Sequence, residues 1–479
     1  MSTVPVPPPL VVGFDLDMTL IDTAPGFRDV LRALGEEIGI ELPAETLTER
    51  LGPPLDHLLT PYLPADQVIP AVERFRVLYP DYAIHSVPAL PGAVEALAAV
   101  RRNAGRVLVV TGKFTANAQL HVDHLGFEID LLEGKVWGAG KGEVLRREGA
   151  SIYVGDHVHD VEGALAAGAL SVSVLTGGCT REELEAAGTH VVLDSLADFP
   201  DWLDEHLLTT RLAALEADLR ARGSVLVAYS GGADSAFLLA AAVRALGPER
   251  VVAATGYSDS LPLAERDPAA RFAAALGVRL LTPRTHEMER EGYRANGADR
   301  CFFCKAELLD TLVPLARQHG LAHVATGTNA DDAVAGFRPG IRAAHERGAI
   351  APLRDAGLTK AQVREASRRW ELPTWDKPAA ACLSSRVAYG VEVTPARLAR
   401  VERAEEAARA LLADLGLRNL RVRDLGDRAR VELDRELLPL DPSVEDRLVT
   451  AVVVAGFPAA VVDPRGFRSG SMNEALHRP

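Results

Sequence analysis

Val225-Leu226-Val227-Ala228-Tyr229-Ser230-Gly231-Gly232-Ala233-Asp234-Ser235 sets an apolar, strand-like run directly ahead of a glycine turn, and a helix-like stretch, Ala236 to Leu246, follows. Two adjacent glycines let the backbone turn tightly and approach a ligand, and open N–H groups at the start of a helix favour an anion. The loop is not a Walker loop, because no Gly-Lys-Ser/Thr ends it. Strand, turn and helix in this order form the unit of an α/β domain with a parallel sheet.

The unit recurs on both sides of this stretch. Downstream, Val251 to Thr255 and Val324 to Ala325 read as further strands. Upstream, a separate series holds Leu10 to Phe14, Val107 to Val110 and Ile152 to Val154. The join is expected near Phe199 to Arg222, a charged amphipathic helix with Leu208, Leu212, Leu215 and Leu219 on one face. From about Val391 the chain turns to charged helix and short alternating segments, Leu420 to Val422 and Ala429 to Leu433, which predict a smaller third unit. The expected division is 1–200, with a mostly helical insert at about 24–85, then a linker helix 201–222, a domain 223–390 and a subdomain 391–479. No internal repeat is evident.

At 479 residues the chain is too long for one core, and a hydrophobic fraction of 48% with 25% charged residues is that of a soluble globular protein. No apolar run is long enough to span a bilayer, and Met1 to Pro9 lacks the basic end and apolar stretch of a signal peptide. The expectation is a cytoplasmic protein with no membrane partner. A net charge of -14 argues against nucleic acid as a partner, since nonspecific binding rests on Lys and Arg displacing counterions. Four cysteines are too few for a disulfide framework and point to metal or redox chemistry.

Asp15-Leu16-Asp17-Met18-Thr19 follows the first strand, so both carboxylates are expected at the carboxyl end of the sheet, where open α/β sheets bind ligands. One carboxylate can attack phosphorus to form an aspartyl-phosphate, while its neighbour two residues on protonates the leaving group. The clustered charge calls for a divalent ion, and oxygen ligands suit Mg2+. Asp-x-Asp pairs are also common in turns and helix caps, but further parts follow here in order. Thr111 ends a second strand before Gly112 and Lys113, Lys141 comes next, and a third strand ends in Gly155-Asp156-His157-Val158-His159-Asp160.

Over nearly all of Val11 to Leu196 the chain thus resembles the haloacid dehalogenase superfamily. The resemblance implies a Rossmann-like phosphatase domain in which Asp15 is the nucleophile, Asp17 the acid/base, and Thr111 the phosphoryl-binding residue. It also implies that Lys141, preferred over Lys113, neutralises the phosphate and nucleophile charges, and that Asp156 holds Mg2+ with Asp160 in support, beside Asp15 and Asp17. Met18 fills a slot that is most often glycine in that family. The insert at about 24–85 is then a cap that closes over the site and chooses the phosphate ester.

Ser230-Gly231-Gly232-Ala233-Asp234-Ser235 resembles the signature of the PP-loop ATP pyrophosphatases, which cleave ATP to AMP and pyrophosphate and adenylate a substrate. Ser230, Gly231, Gly232, Asp234 and Ser235 are the implied nucleotide contacts. Further on come Arg300-Cys301-Phe302-Phe303-Cys304-Lys305, Gly327-Thr328-Asn329-Ala330-Asp331-Asp332 and Arg338-Pro339-Gly340. Trp375-Asp376-Lys377-Pro378-Ala379-Ala380-Ala381-Cys382-Leu383-Ser384-Ser385-Arg386 and Tyr389-Gly390 complete the series. From about Leu226 to Leu433 this series closely resembles the LarE family of ATP-dependent sulfur transferases, which build the nickel-pincer nucleotide of lactate racemase. The resemblance implies that ATP adenylates a carboxylate of pyridinium-3,5-biscarboxylic acid mononucleotide and that a sulfur nucleophile displaces AMP. In the simplest members that sulfur is the enzyme's own cysteine, here Cys382, which is left as dehydroalanine. The family's symmetric assemblies imply a homo-oligomer.

The cysteines refine this reading. Cys301, Cys304 and Cys382 offer three thiolates, enough to hold a [4Fe–4S] cluster with one iron open to carry a sulfide, as in LarE relatives with three cysteines. Zinc with three thiolates and a water is the alternative, and buried apolar cysteines the plain one. Cys179 has no partner motif. Arg421 and Arg423 alternate on a strand-like segment and match family arginines that bind the substrate phosphate; a solvated strand edge gives the same spacing. The family's His-Gly just beyond is Leu425-Gly426 here. Arg386 and Lys377 flank Cys382 and could steady the acyl-adenylate, and Glu287 and Asn329 are pocket candidates. Asp331 and Asp332 could bind metal or cap a helix. Two rival readings are a tRNA thiolase, which also uses a PP-loop and cysteines, and a fusion in which one domain is degenerate and only binds nucleotide.

Overall fold

The computed structural model describes residues 9–49, 54–334, 338–378 and 381–468; the first eight residues and Ala379-Ala380 of the cysteine motif lie outside them. The described residues divide into two compact units between Leu207 and Leu208. One helix, Phe199–Arg222, carries the chain across that division. Its Phe199, Leu203 and Leu207 belong to the core of the first unit, and its Leu208, Leu215 and Leu219 to the core of the second.

The first unit is built on a parallel sheet of β1 (Val11–Phe14), β2 (Arg106–Val110), β3 (Leu131–Glu133), β4 (Ile152–Gly155), β5 (Leu170–Val174) and β6 (Val191–Leu193), in the order β3-β2-β1-β4-β5-β6. Both faces are covered: Val12 and Phe14 pack into one core, and Val11 and Tyr153 into another. Strands buried on two faces read as unbroken apolar runs, which is why β1 and β4 are plain in the sequence. β5 is less plain because it alternates with serine. Ser171 and Ser173 are buried, and their hydroxyls pair with Thr189 at 3.1 and 2.9 Å. Between β1 and β2 the chain makes the helices Ala24–Ile38, Ala44–Glu49, Leu55–Leu59 and Ala65–Tyr82. These pack round a core of their own that includes Leu31, Leu34, Val72 and Phe75.

The second unit opens on a parallel sheet of β7 (Val225–Ala228), β8 (Val251–Ala254), β9 (Arg279–Leu281) and β10 (His323–Thr326), ordered β10-β7-β8-β9. Beyond it, β11 (Leu420–Asp424) pairs antiparallel with β12 (Ala429–Leu433), which pairs parallel with β13 (Ala460–Val462). The helices Pro395–Leu411 and Pro442–Val454 join this small sheet in a separate core with Leu398, Val401, Val422, Val431 and Leu448. In each parallel sheet the strand order reverses once, between β1 and β4 and between β7 and β10. Such reversals open a crevice at the carboxyl ends of the strands, and the motifs of Asp15, Asp156, Ser230 and Gly327 follow the four strands concerned. Among the described residues no helix is long and apolar enough to cross a membrane.

Candidate active sites

Asp15 stands at the end of β1 and donates its N–H to the Val154 carbonyl of β4 (2.8 Å), at the reversal of strand order. Asp156 follows β4, and Asp160 lies in the first turn of the helix Val158–Ala167. Lys141, from the helix Ala139–Glu148, reaches Asp15 Oδ1 (2.7 Å) and Asp160 Oδ1 (2.6 Å), and Thr19 Oγ1 donates to Asp156 Oδ1 (2.8 Å). Asp15, Asp156 and Asp160 each bring an oxygen within 4.8 Å of the others. Burial pushes the Asp15 carboxyl up to about 7, with Lys141 opposing and Asp160 and Asp17 adding to the rise. It pushes Asp156 well above the usual range, and the Asp160 and Asp15 charges reinforce it. Carboxylates crowded in this way gain from a divalent cation, and an all-oxygen donor set suits Mg2+.

The Asp17 carboxylate lies outside that trio. It accepts from Lys113 Nζ (2.6 Å) and from the Thr23 hydroxyl. Burial alone would raise it, but Lys113 and Thr23 outweigh burial and hold it below the usual range. Both lysines of the sequence reading are therefore engaged, Lys141 on Asp15 and Lys113 on Asp17. Lys113 Nζ also sits 4.7 Å over the Tyr79 ring, and the Tyr79 hydroxyl pairs with Nε2 of the buried His121 at 2.9 Å. Neither Tyr79 nor His121 belongs to a motif, so the sequence offered no signal for them. Thr111 joins Asp15, Asp17, Tyr79, Lys113 and Lys141 in the lining of a cavity of about 390 Å³.

Two backbone positions explain local sequence choices. Met18 has φ 58°, the left-handed region that glycine enters most readily, and its carbonyl accepts from Thr176 Oγ1 (2.6 Å). At Gly155 a Cβ would fall 2.3 Å from Cγ of Asp160. Gly155→Ala is thus expected to drive Asp160 off Lys141 and to lower kcat for phosphomonoester hydrolysis by about 100-fold. Steady-state kinetics beside a circular dichroism spectrum of unchanged fold checks this.

The second site lies at the β7/β10 reversal. Gly232 caps the helix Ala233–Leu246, and Gly231 turns the loop with φ 75°. The Ser230 N–H donates to Ser235 Oγ (3.2 Å), the two hydroxyls lie 3.1 Å apart, and Ser235 Oγ donates to the Gly232 carbonyl (3.1 Å). Lys377 Nζ donates to the Gly231 carbonyl (2.9 Å) and pairs with Glu265 (2.5 Å). Asn329 Nδ2 donates to Asp234 Oδ1 (3.4 Å). Asn329 caps the helix Ala330–Val334 reciprocally with Asp332: the Asp332 N–H donates to Asn329 Oδ1 (3.1 Å) and the Asn329 N–H to Asp332 Oδ2 (3.3 Å). Asp331 accepts from the Lys360 N–H (2.8 Å).

At Gly327, just past β10, a Cβ would come 2.8 Å from the Ser235 nitrogen. Gly327→Ala is therefore expected to push the loop out of register and raise KM for ATP about tenfold, read from pyrophosphate release at varied ATP.

One cavity of about 370 Å³ is lined both by this loop, through Ser230, Gly232, Asp234 and Ser235, and by Glu287, Cys304 and Cys382. Cys301 and Cys304 lie one turn apart at the start of the helix Arg300–Gln318. Arg300 Nη1 ties that helix to the cysteine motif through Asn296 Oδ1 (2.5 Å) and the Ser384 carbonyl (2.8 Å). The Cys382 carbonyl accepts from Arg386 Nη1 (2.9 Å) and Ser385 Oγ (2.7 Å). Burial pushes the Cys304 thiol up, and the charges of Cys382, Glu287 and Cys301 add to the rise. Glu287 is itself held by Ser258 (2.5 Å) and Ser260 (2.7 Å), two residues that no motif pointed to.

The three sulfurs do not all lie within 4.8 Å of one another. Tetrahedral zinc would hold thiolates about 3.8 Å apart, so the zinc alternative does not fit the side chains as placed.

Arg386, Arg421 and Arg423 are not in the lining of this cavity. Arg386 pairs with Glu405 (2.9 Å) and Arg423 with Glu432 (2.8 Å), all four being buried. Arg421 stands 5.5 Å over the Phe467 ring, pulled down to about 10 by burial and by the Arg386 charge. Cys179 is a half-buried thiol that burial raises.

A family model described as haloacid dehalogenase-like hydrolase matches residues 10–168, and a second, HAD-hydrolase-like, matches residues 143–199. An uncharacterized protein of Synechocystis sp. is 40% identical over 274 residues, 56% of this chain and 99% of its own length. The pyridinium-3,5-bisthiocarboxylic acid mononucleotide synthase of Lactiplantibacillus plantarum is 32% identical over 269 residues, 56% of this chain and 96% of its own length. A phosphoglycolate phosphatase of Caulobacter vibrioides is 30% identical over 218 residues, 40% of this chain and 88% of its own. The chain belongs to the LarE family, that of the bisthiocarboxylic acid mononucleotide synthase, and joins to it a haloacid dehalogenase-like hydrolase domain.

Proposed function

We propose that the second unit is an ATP-dependent sulfur transferase that adenylates and thiolates pyridinium-3,5-biscarboxylic acid mononucleotide, and that the first is a Mg2+-dependent phosphomonoester hydrolase. The observation that carries the first claim is the shared cavity: the pyrophosphate-type loop and two of the three motif cysteines line one space. A substrate carboxylate oxygen attacks the α-phosphorus of ATP, the bond to pyrophosphate breaks, and pyrophosphate departs onto the N–H groups of Ser230 to Ser235. A sulfur nucleophile then attacks the acyl carbon and AMP leaves. Arg386 and Ser385 fix the Cys382 backbone for this, and Lys377 fixes the loop.

A [4Fe–4S] cluster held by Cys301, Cys304 and Cys382 would supply sulfide at an iron without a protein ligand. Burial raises the Cys304 thiol and the Cys382, Glu287 and Cys301 charges add to it; iron bound to the thiolates would offset that crowding. Anaerobically purified protein is expected to carry about four irons and four acid-labile sulfides, lost in Cys382→Ala. Iron-free protein after reconstitution would make Cys382 a sacrificial donor instead, to be found as dehydroalanine after one turnover.

In the first unit Asp15 attacks phosphorus and the ester P–O bond breaks. Asp17 gives the departing oxygen its proton and recovers one from the water that cleaves the aspartyl-phosphate. The pair with Lys113 favours the second of these roles. Mg2+ on Asp15, Asp156 and Asp160 would offset their charge and that of the phosphate.

A further inference from the structure

The phosphatase cavity is furnished for more than a phosphate. Its lining carries charge beyond Asp15 and Lys141, with Asp56, Glu73 and Arg76 among it, and it also holds a set of aromatic rings. Trp137, His157 and His159 form a three-ring wall, with centroids 4.9 Å apart for Trp137–His159 and 4.8 Å for His157–His159. Phe114 forms another wall, with Lys135 Nζ 4.5 Å from its ring centre. Trp137 is 38% exposed and Ile69 60% exposed, although both line the cavity, so apolar surface is left there for a ligand to cover.

Lys135 is placed with unusual care for a surface lysine. Its backbone is in the left-handed region at φ 62°, and its N–H donates to the Lys113 carbonyl (2.8 Å). Among the described residues no carboxylate pairs with it. A non-glycine residue held at positive φ beside a site is worth a functional reading. A cavity of about 390 Å³ also exceeds the needs of a two-carbon phosphoacid and enters the range of organic ligands with a ring.

We infer that the hydrolase site takes a phosphomonoester whose alcohol carries a flat aromatic ring with an acidic substituent, as in an acid-bearing mononucleotide. The ring lies against Trp137, the acid faces Lys135 where it stands over Phe114, and the phosphate meets Asp15. One water is added across the ester P–O bond, releasing the ring-bearing alcohol and inorganic phosphate. This assignment rests on the phosphatase reading above and names its substrate class.

The test is kinetics of the full chain with Mg2+ on nicotinic acid mononucleotide, nicotinamide mononucleotide and 2-phosphoglycolate. The expected kcat/KM for nicotinic acid mononucleotide exceeds that for phosphoglycolate by about tenfold or more. Trp137→Ala is expected to lower that ratio about tenfold, and Trp137→Phe to keep most of it. Lys135→Met is expected to shrink the preference for the acid over the amide mononucleotide about fivefold. A preference for phosphoglycolate, or a ratio unmoved by Trp137→Ala, overturns the assignment and leaves the phosphatase standing. Failure to hydrolyse any of the three, or p-nitrophenyl phosphate, overturns the phosphatase and the assignment with it.

Discussion

Asp15→Asn is expected to lower kcat for phosphomonoester hydrolysis by about 10⁴-fold or more, because it removes the carboxylate proposed to take the phosphoryl group covalently. The substitution keeps the shape of the side chain, and its amide oxygen can still accept from Lys141. It also takes one charge from a trio that repels itself, so the fold should be no less stable. Loss of activity with an unchanged or raised melting temperature is therefore the expected pair of results. Substrate-dependent pyrophosphate release, the activity proposed for the other unit, should persist in the same preparation. Phosphatase activity that survives Asp15→Asn would mean that Asp15 is not the nucleophile.

Cys382→Ala is expected to abolish thiolated product, a loss of at least about 10³-fold, while pyrophosphate release on adding ATP and the carboxylate substrate continues. The reason is spatial. The loop is built from Ser230 to Ser235 and braced by Lys377 and Asn329, none of which depends on the Cys382 thiol. The Cys382 backbone is held by Arg386 and Ser385 through its carbonyl, so the alanine variant keeps the same support. Adenylation without thiolation separates the two half-reactions. Loss of both together would show that the cysteine serves the nucleotide site instead.

Much of this was legible because strong strands precede the motifs. β1, β4 and β7 are buried on both faces, so their apolar runs are unbroken, and the candidate residues Asp15, Asp156 and Ser230 come within two residues of their ends. β3, β6, β9 and β13 are three residues each at or near sheet edges and leave little periodicity to read. β5 hides behind Ser171 and Ser173, whose burial depends on Thr189, a partner outside the strand.

The same holds for the sites. The order Asp15, Thr111, Lys141, Asp156 is visible in the chain, but the pairing of Lys113 with Asp17 is a matter of where two loops meet. Arg386 was named because it flanks Cys382, and Arg423 because it alternates with Arg421 on a strand-like segment and matches family arginines that bind the substrate phosphate. Spacing cannot show that Glu405, on a helix, and Glu432, across the strand pair, would be buried against them. Asp331 and Asp332 accept from the Lys360 and Asn329 N–H groups, and Asp332 also lies 3.7 Å from Arg338, contacts that no pattern in the chain announces. Glu287 was named for the pocket, whereas Ser258 and Ser260, which hold it, had no pattern to betray them.

The most direct test of the sulfur-transferase reading is to incubate the anaerobically purified chain with ATP, Mg2+ and pyridinium-3,5-biscarboxylic acid mononucleotide, and to analyse the products by mass spectrometry. The expected result is AMP and pyrophosphate, formed only when the carboxylate is present, together with a substrate in which oxygen has been replaced by sulfur. Formation of ADP, or of AMP with no sulfur-containing product even after the iron and sulfide content has been restored, would contradict it.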